Sequence, residues 1–201
     1  MRDDFNNTAS SPAAKSKGRG LTSGEIEIAK TIFGSSIDYS KVRVHSGPYT
    51  KFQSTDTIVT PNGHLYCGGL YSDDFSAGDR SLFIHEMTHV WQYQNNVLNP
   101  RIAALTAWAR AGFNYDGAYH YTLDPAKDLL DYNLEQQAAM VADYFEGLRM
   151  PESVRSQRDA DRFQVMQKFI ANPSYAFRFT VKDAVLTAAS SIVAPTLPRI
   201  P

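Results

Sequence analysis

The stretch from Ser81 to Gln94 constrains this chain more than any other. It contains His-Glu-x-x-His at His85, Glu86 and His89, and its apolar flanks predict a helix. Residues four apart share one face of a helix, so both imidazoles can bind one zinc ion at about 2 Å. Glu86 follows the first histidine and can reach a water molecule on that ion. The pattern predicts a zinc metallopeptidase with Glu86 as its general base.

The same helix is predicted to be buried on nearly all sides. Between Ser81 and Gln94, Glu86 is the single carboxylate, and no lysine or arginine occurs. Burying two imidazoles and a carboxylate without partners would cost several kcal/mol. A bound metal would offset that cost. The alternative is a pair of core histidines satisfied by hydrogen bonds.

A third metal ligand is expected from a later helix. Catalytic zinc takes three protein ligands and leaves one position for water. The pattern of the metzincin class is absent, because Gln92 and Asn95 stand where it needs Gly and His. Glu135 fits best, since it borders the apolar stripe of a helix predicted over 132–148 and small residues follow on its own side. The other candidates are Asp131, Asp143, Glu146 and, as a different ligand type, His120.

Two supporting roles are also predicted. Asp143 lies about 80° round the helix from Glu135, so it is expected to accept a hydrogen bond from a ligand histidine instead. Zinc peptidases commonly add a Tyr or His that donates to the oxyanion, and Tyr119, His120 and Tyr121 are the nearest such cluster. These three are not assigned to the site, because a core or rim position explains each of them.

The chain is predicted to form one α+β domain between two irregular ends. Residues 1–20 have almost no large apolar side chain and are predicted to be a disordered linker. Residues 21–191 are predicted to form a mainly helical zincin-like domain with a small sheet or hairpin before the motif helix, and 192–201 a Pro-rich tail. The predicted helices are 23–33, 81–94, 102–111, 132–148, 152–171 and 180–190; the predicted strands or extended segments are 41–45, 57–60, 64–67 and 119–123.

Local signals place several of these boundaries. Asn62-Gly63 between two β-rich runs predicts a hairpin. Ser23 and Asp79 are placed to cap the first helix and the motif helix. Gly34 is placed to end the first helix.

Composition narrows the choice of partners. A net charge of −1 over 201 residues favours neither nucleic acid nor an anionic membrane. The single cysteine, Cys67, excludes an internal disulfide and a cysteine-based zinc site. No apolar run reaches the ~18 residues of a membrane span, and the N-terminus lacks the apolar core of a secretory signal. We therefore expect a cytosolic protein, or one exported without an N-terminal signal.

Two segments together resemble a known family. The run from Phe83 to Gln94, joined to Asn133-x-Glu135-Gln-Gln-Ala, is similar to the zincin-like metallopeptidase domains of bacterial polymorphic toxins and of VgrG spike proteins of the type VI secretion system. The resemblance covers residues 21–148. It is also carried by Ser-Gly-Glu at 23–25, Val-His at 44–45 and Thr-Pro-Asn-Gly at 60–63 with the following Tyr66.

The resemblance implies a gluzincin-like fold in which His85, His89 and Glu135 bind zinc and Glu86 is the base. It implies an effector toxin, antibacterial or also directed at a host, that is secreted by the type VI system and acts in the target-cell periplasm. The implied partners are a protein or peptide substrate, a VgrG spike trimer that carries the domain, and a cognate immunity protein.

Two other functions stay open. One is a non-catalytic zinc-binding interaction domain of a secretion spike protein, with protein groups in all four metal positions. The other is an effector that acts by docking to a partner protein, for which Glu86 would be dispensable.

Overall fold

A computed structural model of the chain describes residues 18–97 and 119–176. The elements within these ranges are α1 (Ser23–Phe33), β1 (Val44–His45), β2 (Leu65–Tyr66), α2 (Arg80–Gln94), α3 (Leu134–Leu148), α4 (Gln157–Val165) and α5 (Gln167–Ala171). Helices dominate, and a small sheet precedes α2, which confirms the predicted α+β class.

Several predictions fall outside the described residues. These are the linker up to residue 17, the helices at 102–111 and 180–190, and the tail at 192–201. Residues 18–20, at the end of the predicted linker, belong to the fold, because Arg19 forms an antiparallel bridge with Val44. Within 18–97 and 119–176, no helix has both the length and the apolar character needed to cross a membrane.

The centre of the core lies where α2 packs against α3. On α2, the buried apolar side chains are Phe83, Ile84, Met87, Val90 and Trp91. On α3, they are Leu134, Ala138, Met140, Val141, Ala142 and Phe145. The apolar stripe predicted for this helix is buried, except for its last residue, Leu148, which is 44% exposed at the helix end. Burying both faces fixes the side chains of α2 relative to those of α3.

α1 is anchored by a buried carboxylate. Thr22, and not Ser23 as predicted, is the N-cap, and it forms a reciprocal capping box with Glu25. Glu25 is fully buried and also accepts two hydrogen bonds from Arg19, at 2.7 and 2.8 Å, and one from the backbone N–H of Phe75. Gly34 ends the helix with a φ of +53°, as predicted. The N-terminal segment is thereby joined to α1 and to the loop before α2.

The sheet is smaller than predicted and is paired differently. β1 pairs with β2 in parallel, with Val44 opposite Leu65. The predicted strand 41–45 is shortened because residues 39–41 form a 3₁₀ turn. The predicted hairpin is reduced to one antiparallel bridge between Val59 and Tyr66. Its next hydrogen-bonded position would use the N–H of residue 61, which is Pro61 and has none.

The predicted helix 152–171 is two helices. A capping box between Ser156 and Asp159 starts α4 at Gln157, and the chain breaks at Met166 before α5. Phe169 of α5 then packs edge-on against Trp91 of α2, with ring centroids 5.0 Å apart. The extended segment predicted at 119–123 forms no strand in the described part of the chain.

Candidate metal centre

Both motif histidines project from the same face of α2. Asp79 caps this helix as predicted, its Oδ1 accepting from the N–H of Leu82 at 2.9 Å. His85 and His89 lie one turn apart, and their Nε2 atoms are 3.3 Å from each other. Their side chains are 14% and 13% exposed, so solvent reaches a site that is otherwise enclosed.

Glu135 faces both histidines from α3. Asn133 caps α3 by accepting from the N–H of Gln136, which places Glu135 in the first turn. Its Oε2 is 3.3 Å from His85 Nε2 and 3.2 Å from His89 Nε2. Among the described residues, these three side chains form a cluster whose potential ligand atoms lie within 4.8 Å of one another.

The spacing of these three atoms fits one tetrahedral zinc. Ligand atoms ~2.0–2.1 Å from a tetrahedral centre lie about 3.3 Å apart. The separations between the two Nε2 atoms and Glu135 Oε2 are 3.2–3.3 Å. Two imidazole nitrogens and one carboxylate oxygen are also a ligand set that catalytic zinc sites use.

The other ligand candidates lie outside this cluster. Asp131 accepts from the N–H of Asp128 in a 3₁₀ capping box, and Glu146 pairs with Arg149 at 3.0 Å. The backbone carbonyl of His120 accepts a hydrogen bond from Gln136 Nε2.

Without a metal, the cluster is an ion pair. Burial opposes the charge on His89, but the Glu135 carboxylate outweighs it and raises the pKa of His89 to about 9. Burial also opposes the charge on Glu135, but the two histidines outweigh it and lower the pKa of Glu135. In the absence of a metal, the proton on His89 therefore provides the positive charge beside the Glu135 carboxylate. A bound metal cation would take over that role.

Glu86 is buried beside the cluster and accepts a hydrogen bond from a threonine hydroxyl on the sheet side. It is 4% exposed, and Thr60 Oγ1 donates to its Oε2 at 2.7 Å. Burial raises the pKa of Glu86, and the neighbouring histidines and the hydrogen bond from Thr60 offset part of that rise. Burial thus makes this carboxylate a better proton acceptor than an exposed glutamate.

Gln92 fixes the tautomer of His89. The Nε2 of Gln92 donates at 3.0 Å to the carbonyl of Leu134 and to Oε1 of Gln137, whose own amide nitrogen donates to the carbonyl of Tyr132. Gln92 Oε1 therefore faces His89 Nδ1, at 2.8 Å. A carbonyl oxygen only accepts, so Nδ1 carries a proton, and Nε2 is the atom left to bind a metal.

The prediction that Asp143 accepts from a ligand histidine is wrong. Asp143 instead accepts from the hydroxyl of Tyr121 and from Arg162 Nη2, the latter at 3.3 Å. Gln92 fills the predicted role because it lies three residues after His89 on the same helix.

Of the predicted aromatic cluster, Tyr119 lies beside a candidate metal ligand. The ring of Tyr119 is 5.7 Å from the ring of His85, while the hydroxyl of Tyr121 bonds Asp143. Sequence reasoning missed Thr60 and Gln92. Helical spacing after His89 was a signal for Gln92, whereas the contact of Thr60 with Glu86 is purely tertiary.

Together, fold and site define an α+β domain with a candidate metal centre of two histidines and one glutamate between two packed helices. No protein-family model matches the chain. The type VI secretion system spike protein VgrG2b of Pseudomonas aeruginosa is 46% identical over 133 residues, which are 64% of this chain and 13% of that protein.

A solved structure extends the match. The effector domain of Pseudomonas aeruginosa VgrG2b aligns with a TM-score of 0.59 and 38% identity, covering 78% of this chain and 84% of that domain. This chain therefore belongs to the family of VgrG effector domains. It spans only 13% of the length of the whole spike protein. The resemblance to VgrG effector domains stated from the sequence is confirmed.

Proposed function

We propose that this domain is a zinc-dependent metallopeptidase, and that it serves as an effector of the type VI secretion system. The observation that carries the proposal is the mutual spacing of 3.2–3.3 Å among His85 Nε2, His89 Nε2 and Glu135 Oε2. Its support is the agreement of that spacing with one tetrahedral ion, together with a buried acid, Glu86, directly beside it.

The roles of the side chains follow from their places. A zinc ion bound there would act as a Lewis acid that polarises the scissile carbonyl and acidifies the attacking water. Glu86 accepts the water's proton as the oxygen attacks the carbonyl carbon, and it passes that proton to the nitrogen when the carbon–nitrogen bond breaks. Gln92 keeps Nδ1 of His89 protonated, so that Nε2 is free to bind.

The biological setting is part of the same proposal. On this account the fold is of the gluzincin type, and the domain is carried by a VgrG spike into a target cell. A protein or peptide is its substrate, the target-cell periplasm is its site of action, and an immunity protein protects the producer. Membership in the VgrG effector family supports the delivery route.

The competing function is a zinc-binding interaction domain without catalysis. It requires a fourth protein ligand. In the described ranges, the cluster of potential ligands comprises His85, His89 and Glu135. Three ligands and partial exposure favour a site with one position left for solvent.

The test compares Glu86→Ala with the parent domain in bacteria, each sent separately to the cytoplasm and to the periplasm. Glu27→Ala is the matched control, since Glu27 is exposed on α1. We expect the parent and Glu27→Ala to stop growth from the periplasm and Glu86→Ala to be harmless. Purified Glu86→Ala should keep the parent's zinc content and melting temperature. Toxicity equal to the parent in Glu86→Ala would exclude a catalytic role and favour docking.

A further inference from the structure

Thr60 reaches the base carboxylate from a separate part of the fold. Its hydroxyl donates to Glu86 Oε2 at 2.7 Å, although the residues are 26 positions apart in the chain. Glu86 lies on α2, whereas Thr60 follows the residue that bridges to β2. A hydrogen bond to a buried carboxylate is stronger than one between neutral groups.

The backbone holds Thr60 from both sides. Just before it, Val59 exchanges two backbone hydrogen bonds with Tyr66, at 3.0 and 3.2 Å. Just after it, the turn packs closely on α2: a Cβ added to Gly63, where φ is +76°, would come within 2.7 Å of the ring of Tyr93. The hydroxyl is thus aimed at Glu86 by a segment anchored both to the sheet and to α2.

We propose that Thr60 is a positioning residue for Glu86, an inference that rests on the proposed function. By engaging Oε2, the hydroxyl fixes the carboxylate plane and leaves Oε1 to accept the proton. The O–H bond of the attacking water breaks, its electron pair forms the bond to the carbonyl carbon, the π pair of the carbonyl moves to the carbonyl oxygen, and the proton goes to Oε1. The carbonyl then re-forms from an electron pair of its oxygen, the carbon–nitrogen pair leaves with the nitrogen, and the same proton passes from Oε1 to that nitrogen.

A purely structural role makes different predictions. If Thr60 only satisfies a buried oxygen, removing its hydroxyl would lower the stability of the fold or its metal content without a specific effect on the proton acceptor. A probe is therefore needed that binds the metal and gives its proton to the base without being cleaved. Acetohydroxamic acid has this chemistry and needs no knowledge of the natural substrate.

The experiment titrates acetohydroxamic acid into the cobalt(II)-substituted domain and follows visible absorption. Thr60→Val removes the hydroxyl at similar shape, Thr60→Ser keeps it, and Thr57→Val is the control at an exposed threonine of the same segment. We expect Thr60→Val to bind the probe about tenfold more weakly. Thr60→Ser and Thr57→Val should bind it within about twofold of the parent, and all variants should keep the parent's cobalt content and melting temperature.

The variant Glu86→Gln distinguishes a failure of the positioning role of Thr60 from a failure of the proposed function. If Glu86→Gln loses affinity for the probe while Thr60→Val binds like the parent, the positioning role is wrong and the proposed function stands. If Thr60→Val loses cobalt or unfolds, or if Thr60→Ser fails to restore binding, the role is structural and the inference is overturned. If Glu86→Gln itself binds like the parent, the proposed function fails.

Discussion

At the scale of single residues, the orientation of His89 depends on one buried amide. Gln92 is fully buried, accepts from His89 Nδ1 at 2.8 Å, and donates to the start of the helix that carries Glu135. Gln92→Met keeps similar volume but removes these contacts. We expect zinc affinity to fall about 10–100-fold. Chelator competition measures this, with Gln164→Met as the exposed control; equal affinity in both variants would contradict it.

The ionisation of His89 makes the zinc affinity of the domain depend on pH. The pKa of His89, raised to about 9 by Glu135, means that the metal-free domain holds this proton at pH 7. Zinc must displace it, so zinc affinity should rise with pH and level off as pH passes the pKa of His89. Calorimetry at pH 7 in two buffers of different ionisation enthalpy should show the release of about one proton per zinc. Binding without proton release would contradict the ion pair.

The residues of the site differ in how well the sequence alone predicts their positions. His85 and His89 were predictable because helical spacing alone puts them on one face. Glu135 needed a judgement about which face of a second helix meets the first. The contact of Thr60 with Glu86 could not be predicted from the sequence. It joins residues 26 positions apart and depends on where the sheet packs, which no local pattern encodes.

At the scale of elements, the cap of α3 decides where Glu135 points. Asn133 accepts from the N–H of Gln136, and Glu135 lies in the turn that this bond closes. Asn133→Ala should destabilise the domain by about 1 kcal/mol, and Asn133→Asp should restore it because aspartate also caps. Urea denaturation with and without zinc measures both. Equal stability of all three proteins would show that packing alone fixes this turn.

Predictions of elements succeeded where local signals acted alone. The bounds of α1 and α2 follow from caps and apolar spacing, both of which are short-range. The hairpin failed because Pro61 cannot continue the ladder, so β2 pairs mainly with β1 from farther up the chain. The break at Met166 was missed because apolar spacing continues through it, while Phe169 packs on Trp91 of another helix.

At the scale of the whole molecule, packing of α2 on α3 assembles the site. The two helices bury apolar faces against each other, and their ligand-bearing side chains meet beside that contact. The relative VgrG2b carries such an effector domain within a much longer spike protein, of which this chain spans 13%. Among the described residues, the three candidate metal ligands of this chain all lie on α2 and α3.

The most direct measurement is X-ray absorption at the zinc edge of the purified domain. We predict two imidazole nitrogens at about 2.0–2.1 Å, one carboxylate oxygen and one water oxygen at about 2.0–2.2 Å, and loss of the carboxylate contribution in Glu135→Ala. Four protein ligands, or a spectrum unchanged by Glu135→Ala, would contradict the account.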